Sequence, residues 1–175
     1  MRKLFPCIFL LSLFIELVGI NTAIADSFST SNEIASPSLN SSAVVETAKP
    51  EEYDAYQTAY AKLKRQDYEG AIKAYSAFIT AYPASALSSN SYFWLGKAYE
   101  TQNDLNNAQQ AYEKVVSDYP QSNKTPDALY ALGKVYFLKG DKTKAKATLQ
   151  QVIDNYGTGD GGAPQAARQF IQTKF

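Results

Sequence analysis

Histidine is absent from this 175-residue sequence, and cysteine, methionine and tryptophan each occur once. Without histidine there is no imidazole base, no serine–histidine or cysteine–histidine couple, and none of the commonest transition-metal ligand. Charge of one sign is also missing, since 17 basic residues face 17 acidic ones. Binding to nucleic acid calls for a basic surface that neutralises phosphates, so that class of partner is set aside. The expectation is a protein that is not an enzyme and carries no cofactor and no metal.

Long hydrophobic runs are equally scarce. The one run lies in the opening segment MRKLFPCIFLLSLFIELVGINTAIADS. A helix that crosses a bilayer needs roughly 20 unbroken apolar residues, whereas this run is interrupted by Glu16 and followed by Asn21 and Thr22. Arg2 and Lys3 at the start, apolar Leu4 to Phe14, and Ala23-Ile24-Ala25 read as a secretory signal over residues 1–25, cleaved after Ala25. Cys7 precedes most of the apolar run and follows Pro6, the wrong place for a lipid-anchoring cysteine. A secreted chain with no stable membrane anchor is expected.

What is present begins with a composition shift. Residues 26–49, DSFSTSNEIASPSLNSSAVVETAK, are rich in serine, threonine, asparagine and alanine. They hold too little apolar surface to offset the entropy of ordering, and read as a disordered linker. With 45% hydrophobic residues overall, the remainder suffices for one domain, residues 50–175.

That domain repeats itself. A shift of 37 residues carries Tyr82-Pro83 onto Tyr119-Pro120, Ala71 onto Ala108 and Ala145, and Leu95-Gly96-x-x-Tyr99 onto Leu132-Gly133-x-x-Tyr136. A fixed period of this size means stacked supersecondary units. Within each period the apolar residues recur at helical spacing, and Asn103-Asp104 and Gly140-Asp141 punctuate the halves as turns do. Gly96 and Gly133 allow close approach of two helices, and Pro83 and Pro120 end the second helix of their units. The expectation is an all-α solenoid of three helix-turn-helix repeats, at about 53–86, 87–123 and 124–157. A capping helix over 164–174 closes it with Ala167, Phe170 and Ile171 on one face.

Tyr92, Leu95, Gly96, Tyr99, Ala108, Tyr112 and Pro120 resemble the tetratricopeptide repeat signature. The third copy fits it through Leu129, Leu132, Gly133, Tyr136, Ala145 and Leu149. The first departs, with Thr58, Ala59 and Lys62 at the Leu, Gly and Tyr positions. The 37-residue spacing, the joints YPASALSSNSYFWLGKAYE and YPQSNKTPDALYALGKVYF, and Tyr68 to Ile72 as YxxAI resemble the carboxy-terminal domain of the Tol-Pal system cell division coordinators, the CpoB or YbgF family. The resemblance implies a non-enzymatic periplasmic adaptor that binds TolA, with a peptidoglycan synthase complex as a further partner. Its implied role is to coordinate septal peptidoglycan synthesis with outer-membrane constriction. That family's trimerising coiled coil has no counterpart in residues 26–49, which show no heptads, so homo-oligomerisation is left open. The alternative is a general secreted scaffold for another envelope complex, in secretion or outer-membrane barrel assembly. The barrel-assembly lipoprotein is a neighbouring family with similar repeats, but it calls for an anchoring cysteine at the cleavage site, where this sequence has none.

In such a stack the first helices of the repeats line the binding face at spacing 3, 4, 3. The spacing selects Tyr53, Tyr56, Tyr60 and Leu63, then Asn90, Phe93, Lys97 and Glu100, then Asp127, Tyr130, Lys134 and Phe137. The candidate partner-binding groove is Tyr53, Tyr56, Tyr60, Phe93, Lys97, Tyr130, Lys134 and Phe137. Rigid rings flanked by cations suit a peptide groove. Packing between neighbouring first helices, or beneath the cap, is the competing reading. Gly157 to Gly162 lacks the preceding strand and the lysine of a phosphate loop, and Lys139 to Lys146 reads as a solvated charge run.

Overall fold

The computed structural model describes residues 48–158 and 162–175. The expected signal and nearly all of the expected linker lie outside the described residues. Those residues form helices without strands: α1 Pro50–Lys64, α2 Tyr68–Ala81, α3 Ser88–Thr101, α4 Leu105–Asp118, α5 Thr125–Leu138, α6 Lys142–Tyr156 and α7 Gly162–Lys174. Each helix packs on the next in sequence, and α7 also meets α5. The result is a tetratricopeptide solenoid of three helical hairpins closed by a seventh helix.

The period of 37 residues is written into the turns. Asp67, Asp104 and Asp141 each accept a bond from a backbone N–H three residues on, at 2.9, 3.2 and 3.0 Å, capping α2, α4 and α6. The residue before each aspartate is left-handed: Gln66 at φ 62°, Asn103 at φ 60° and Gly140 at φ 87°. Backbone N–H groups of the three aspartates reach back to Lys62, Tyr99 and Tyr136 carbonyls at 2.9–3.0 Å, which closes the preceding helix in a Schellman turn.

Joints between repeats follow the same register. Ser88 and Thr125 hydroxyls donate to the Tyr82 and Tyr119 carbonyls, at 3.3 and 2.7 Å. Ser85 Oγ donates to Glu52 Oε2 at 2.6 Å, and Ser122 Oγ, one period on, bonds Ser89 Oγ at 2.9 Å. These bonds tie each joint to the start of the preceding repeat.

Glycine has a packing role on two first helices. A Cβ on Gly96 would sit 2.7 Å from the Tyr112 ring, and one on Gly133 would sit 2.7 Å from Leu149 Cγ. No real side chain tolerates such an approach without displacing the fully buried partner. The first repeat carries Ala59 at this place, itself fully buried. Its other departures, exposed Thr58 and half-buried Lys62, stand where the later repeats turn Leu95 and Tyr99, or Leu132 and Tyr136, toward the repeat before. Polar residues suit that face of the first repeat because no repeat of the described chain packs on it. At the other end α7 covers Leu129, Leu149 and Val152 with Ala163, Ala167, Phe170 and Ile171.

Candidate partner-binding face

Two of the groove residues read from the sequence are corrected by their burial. Tyr56 is fully buried, its ring edge-on to Tyr75 at 5.9 Å and to Phe78 at 6.1 Å. Tyr60 is 5% exposed and tilts against Trp94 at 5.6 Å. Leu63, on the same stripe, is buried as well. Tyr56 packs against α2 of its own hairpin, and Tyr60 meets the large indole that α3 brings from the next. Neither ring is open to a partner.

The other six candidates are half-buried. Tyr53 packs on the first core cluster. Phe93 stands edge-on to Trp94 at 5.1 Å and tilts against Tyr112 at 5.9 Å, under the ammonium of Lys124 at 5.5 Å. Tyr130 and Phe137 stand edge-on to Phe170 of the cap, at 6.4 and 5.3 Å, and Phe137 also meets Phe175 at 5.5 Å. The aromatic stripe is therefore packed into the repeats and beneath the cap and shows only its outer edges.

The two lysines converge on Glu100. Lys134 Nζ lies 2.9 Å from Glu100 Oε1, Lys97 Nζ lies 3.5 Å from Oε2, and the Tyr112 hydroxyl donates to Oε2 at 2.9 Å. Burial alone would raise this carboxyl, but Lys134, Lys97 and Tyr112 outweigh it and hold it below the usual carboxylate range. Burial, followed by the charge of Glu100, pushes the Tyr112 phenol far up. Glu100 stood on the selected helix face, yet nothing in its spacing marked it as the centre of a network spanning α3, α4 and α5.

Buried Lys124 was also missed. It occupies the joint position that Leu87 holds one repeat earlier, and offsets its burial with the Phe93 ring face and Asp127 at 3.6 Å. On the other side of α3, Tyr92, Leu95 and Tyr99 floor an open cleft of about 530 Å³, walled by Asn107, Gln110, Glu113 and Lys114 of α4. Among the described residues no group of three histidine, cysteine, aspartate or glutamate side chains could hold a metal ion. None of the described helices is long and apolar enough to cross a membrane.

The YfiO family model, described as outer membrane lipoprotein, matches residues 48–168, most of the chain. The chain belongs to this family. Among solved structures, the tetratricopeptide domain of Sgt2 from Aspergillus fumigatus is similar with TM-score 0.61 and 22% identity, over 73% of this chain and 81% of that one. The MamA protein is similar with TM-score 0.53 and 26% identity, over 61% of this chain and 55% of that one. A comparison with curated proteins gives no match. The YfiO-like repeat stack marks the chain as a protein-interaction scaffold of the cell envelope.

Proposed function

We propose that the chain is a non-enzymatic envelope adaptor that holds a segment of a protein partner along the first helices of its repeats. The observation that carries this reading is the row of half-buried ring edges, Tyr53, Phe93, Tyr130 and Phe137, set beside Lys97 and Lys134 on three successive first helices. Ring edges bury area at low entropic cost, and the lysines, each shared with Glu100, set positive charge beside them without leaving an unpaired charge in the free protein. Spacing, joints and signal-like opening support TolA as the partner, with a peptidoglycan synthase complex beside it, in coordinating septal synthesis with outer-membrane constriction. The match to a family of outer membrane lipoproteins favours a second reading, a scaffold for another envelope complex, in secretion or outer-membrane barrel assembly.

Calorimetric titration of the chain with the periplasmic part of TolA, and in parallel with a soluble domain of a barrel-assembly partner, separates the two. Replacing Lys97 and Lys134 by alanine is expected to weaken whichever complex forms by about tenfold or more. Tyr56→Phe, which alters only a buried position, is expected to leave affinity unchanged. Equal affinity in all three proteins would reject the face.

A further inference from the structure

Leu138 and Phe175 are the exposed large hydrophobic residues of the described chain, at 57% and 44%. Both stand at one end of the stack. Phe137 touches Phe170 and Phe175 together, so the carboxy-terminal ends of α5 and α7 lie side by side there. The start of α6 completes the corner and brings the charge run Lys139 to Lys146 with it. Lys142 Nζ lies 6.0 Å from the Phe137 ring centre and Lys146 Nζ lies 5.9 Å from that of Phe175. Both lysines are exposed, as are Lys139 and Lys174, and neither Lys142 nor Lys146 has an ion-pair partner among the described residues. Asp141 is the acidic side chain of the run, and it pairs with Lys144 at 3.8 Å.

We infer that this corner docks on an anionic lipid surface, with Leu138 and Phe175 entering the headgroup boundary and Lys142 and Lys146 resting on the phosphates. Protruding apolar side chains ringed by cations are what interfacial binding needs, since apolar burial and attraction to anionic lipid add. A carboxylate-bearing peptide would be better served by arginine, whose planar fork grips a carboxylate in two places. The cations here are all lysines, point charges suited to a diffuse field. The corner shares Phe137 with the proposed partner face, but none of its docking residues, Leu138, Phe175, Lys142 and Lys146, belongs to the Glu100 network.

Flotation of the full chain with vesicles of phosphatidylcholine, with and without phosphatidylglycerol, tests this. Binding is expected to the anionic vesicles and to fade as salt is raised. Lys142→Gln with Lys146→Gln should weaken it roughly thirtyfold, about fivefold for each lysine near the surface. Leu138→Ser with Phe175→Ser should weaken it by about tenfold or more, while helical circular dichroism stays unchanged because both side chains are exposed. The inference is overturned if the parent chain ignores anionic vesicles, binds neutral ones equally, or loses nothing in both variants. Binding of poly-glutamate without binding of vesicles would assign the corner to a protein partner and overturn it too.

Discussion

Tyr75 and Tyr112 hold the same place one period apart, and both are fully buried, yet only one of their hydroxyls is satisfied. Tyr112 donates to Glu100, whereas the Tyr75 hydroxyl finds no partner among the described residues. A buried donor without a partner costs free energy, and one bonded to a carboxylate contributes it. Tyr75→Phe should therefore leave stability unchanged or raise it by up to about 1 kcal/mol, while Tyr112→Phe should lower it by about 1–2 kcal/mol, as urea unfolding would register. Glu100 adds a pH signature. Its carboxyl is depressed in the fold, so its contribution is present above the unfolded value, near 4.3, and is lost as pH falls through the lower folded value. Glu100→Gln should be less stable than the parent at neutral pH, and the two unfolding curves should converge in acid. A gap that stays constant down to the lowest pH would contradict this assignment. Tyr136 works the other way: burial first, then its bond to Glu113, pushes it up to about 12, so its share of stability fades as pH rises through that value.

At the scale of elements, the turns show what a sequence can announce and what it conceals. Asn103-Asp104 and Gly140-Asp141 are recognisable because asparagine and glycine accept a left-handed backbone, and aspartate caps the next helix. Gln66-Asp67 makes the same turn without such a sign, since glutamine has no liking for φ 62° and adopts it only because the Schellman bonds and the Asp67 cap hold the backbone there. An L side chain in that region costs roughly 1–2 kcal/mol, of which glycine's greater unfolded freedom returns about half. Gln66→Gly should thus raise the unfolding free energy by about 0.5–1 kcal/mol, and Gly140→Ala, at φ 87°, should lower it by about 1 kcal/mol. Thermal melts of the two variants moving in the same direction would show that the turn is not under this strain. Gly96 was legible for a different reason, as a small residue that lets two helices approach closely, and in the structure it is the Tyr112 ring that comes against it. Gly96→Ala presses a methyl into the Tyr112 ring and should cost about 1–3 kcal/mol.

Over the whole repeat domain, the period of 37 was readable because each copy spells its own core, and the binding face was only partly readable because spacing along one helix says nothing of the distance to the next. Tyr56 and Tyr60 fell on the selected stripe but are sealed by Phe78 from their own hairpin and by Trp94 from the neighbouring one. A repeat stack is stabilised by nearest-neighbour interfaces, so its ends decide how it comes apart. Here the amino-terminal face ends in Thr58 and Lys62, already polar, whereas the third repeat depends on α7 to cover Leu129, Leu149 and Val152. Deleting residues 162–175 should therefore do more than remove one helix. It should expose that cluster together with Tyr130 and Phe137, which lose Phe170, and let the third hairpin fray ahead of the first two. The expected result is a broader thermal transition with a lower midpoint and new binding of a hydrophobic dye, while the first two hairpins keep the Tyr60–Trp94 contact and with it the Trp94 emission of the intact chain. A single, equally sharp transition at the original midpoint would mean that the third hairpin is held by its packing on α4 alone. Phe170→Ala, which keeps the helix but removes the ring shared by Tyr130 and Phe137, should shift the midpoint in the same direction by a smaller amount, since it leaves Ala163 and Ala167 in place over Leu149.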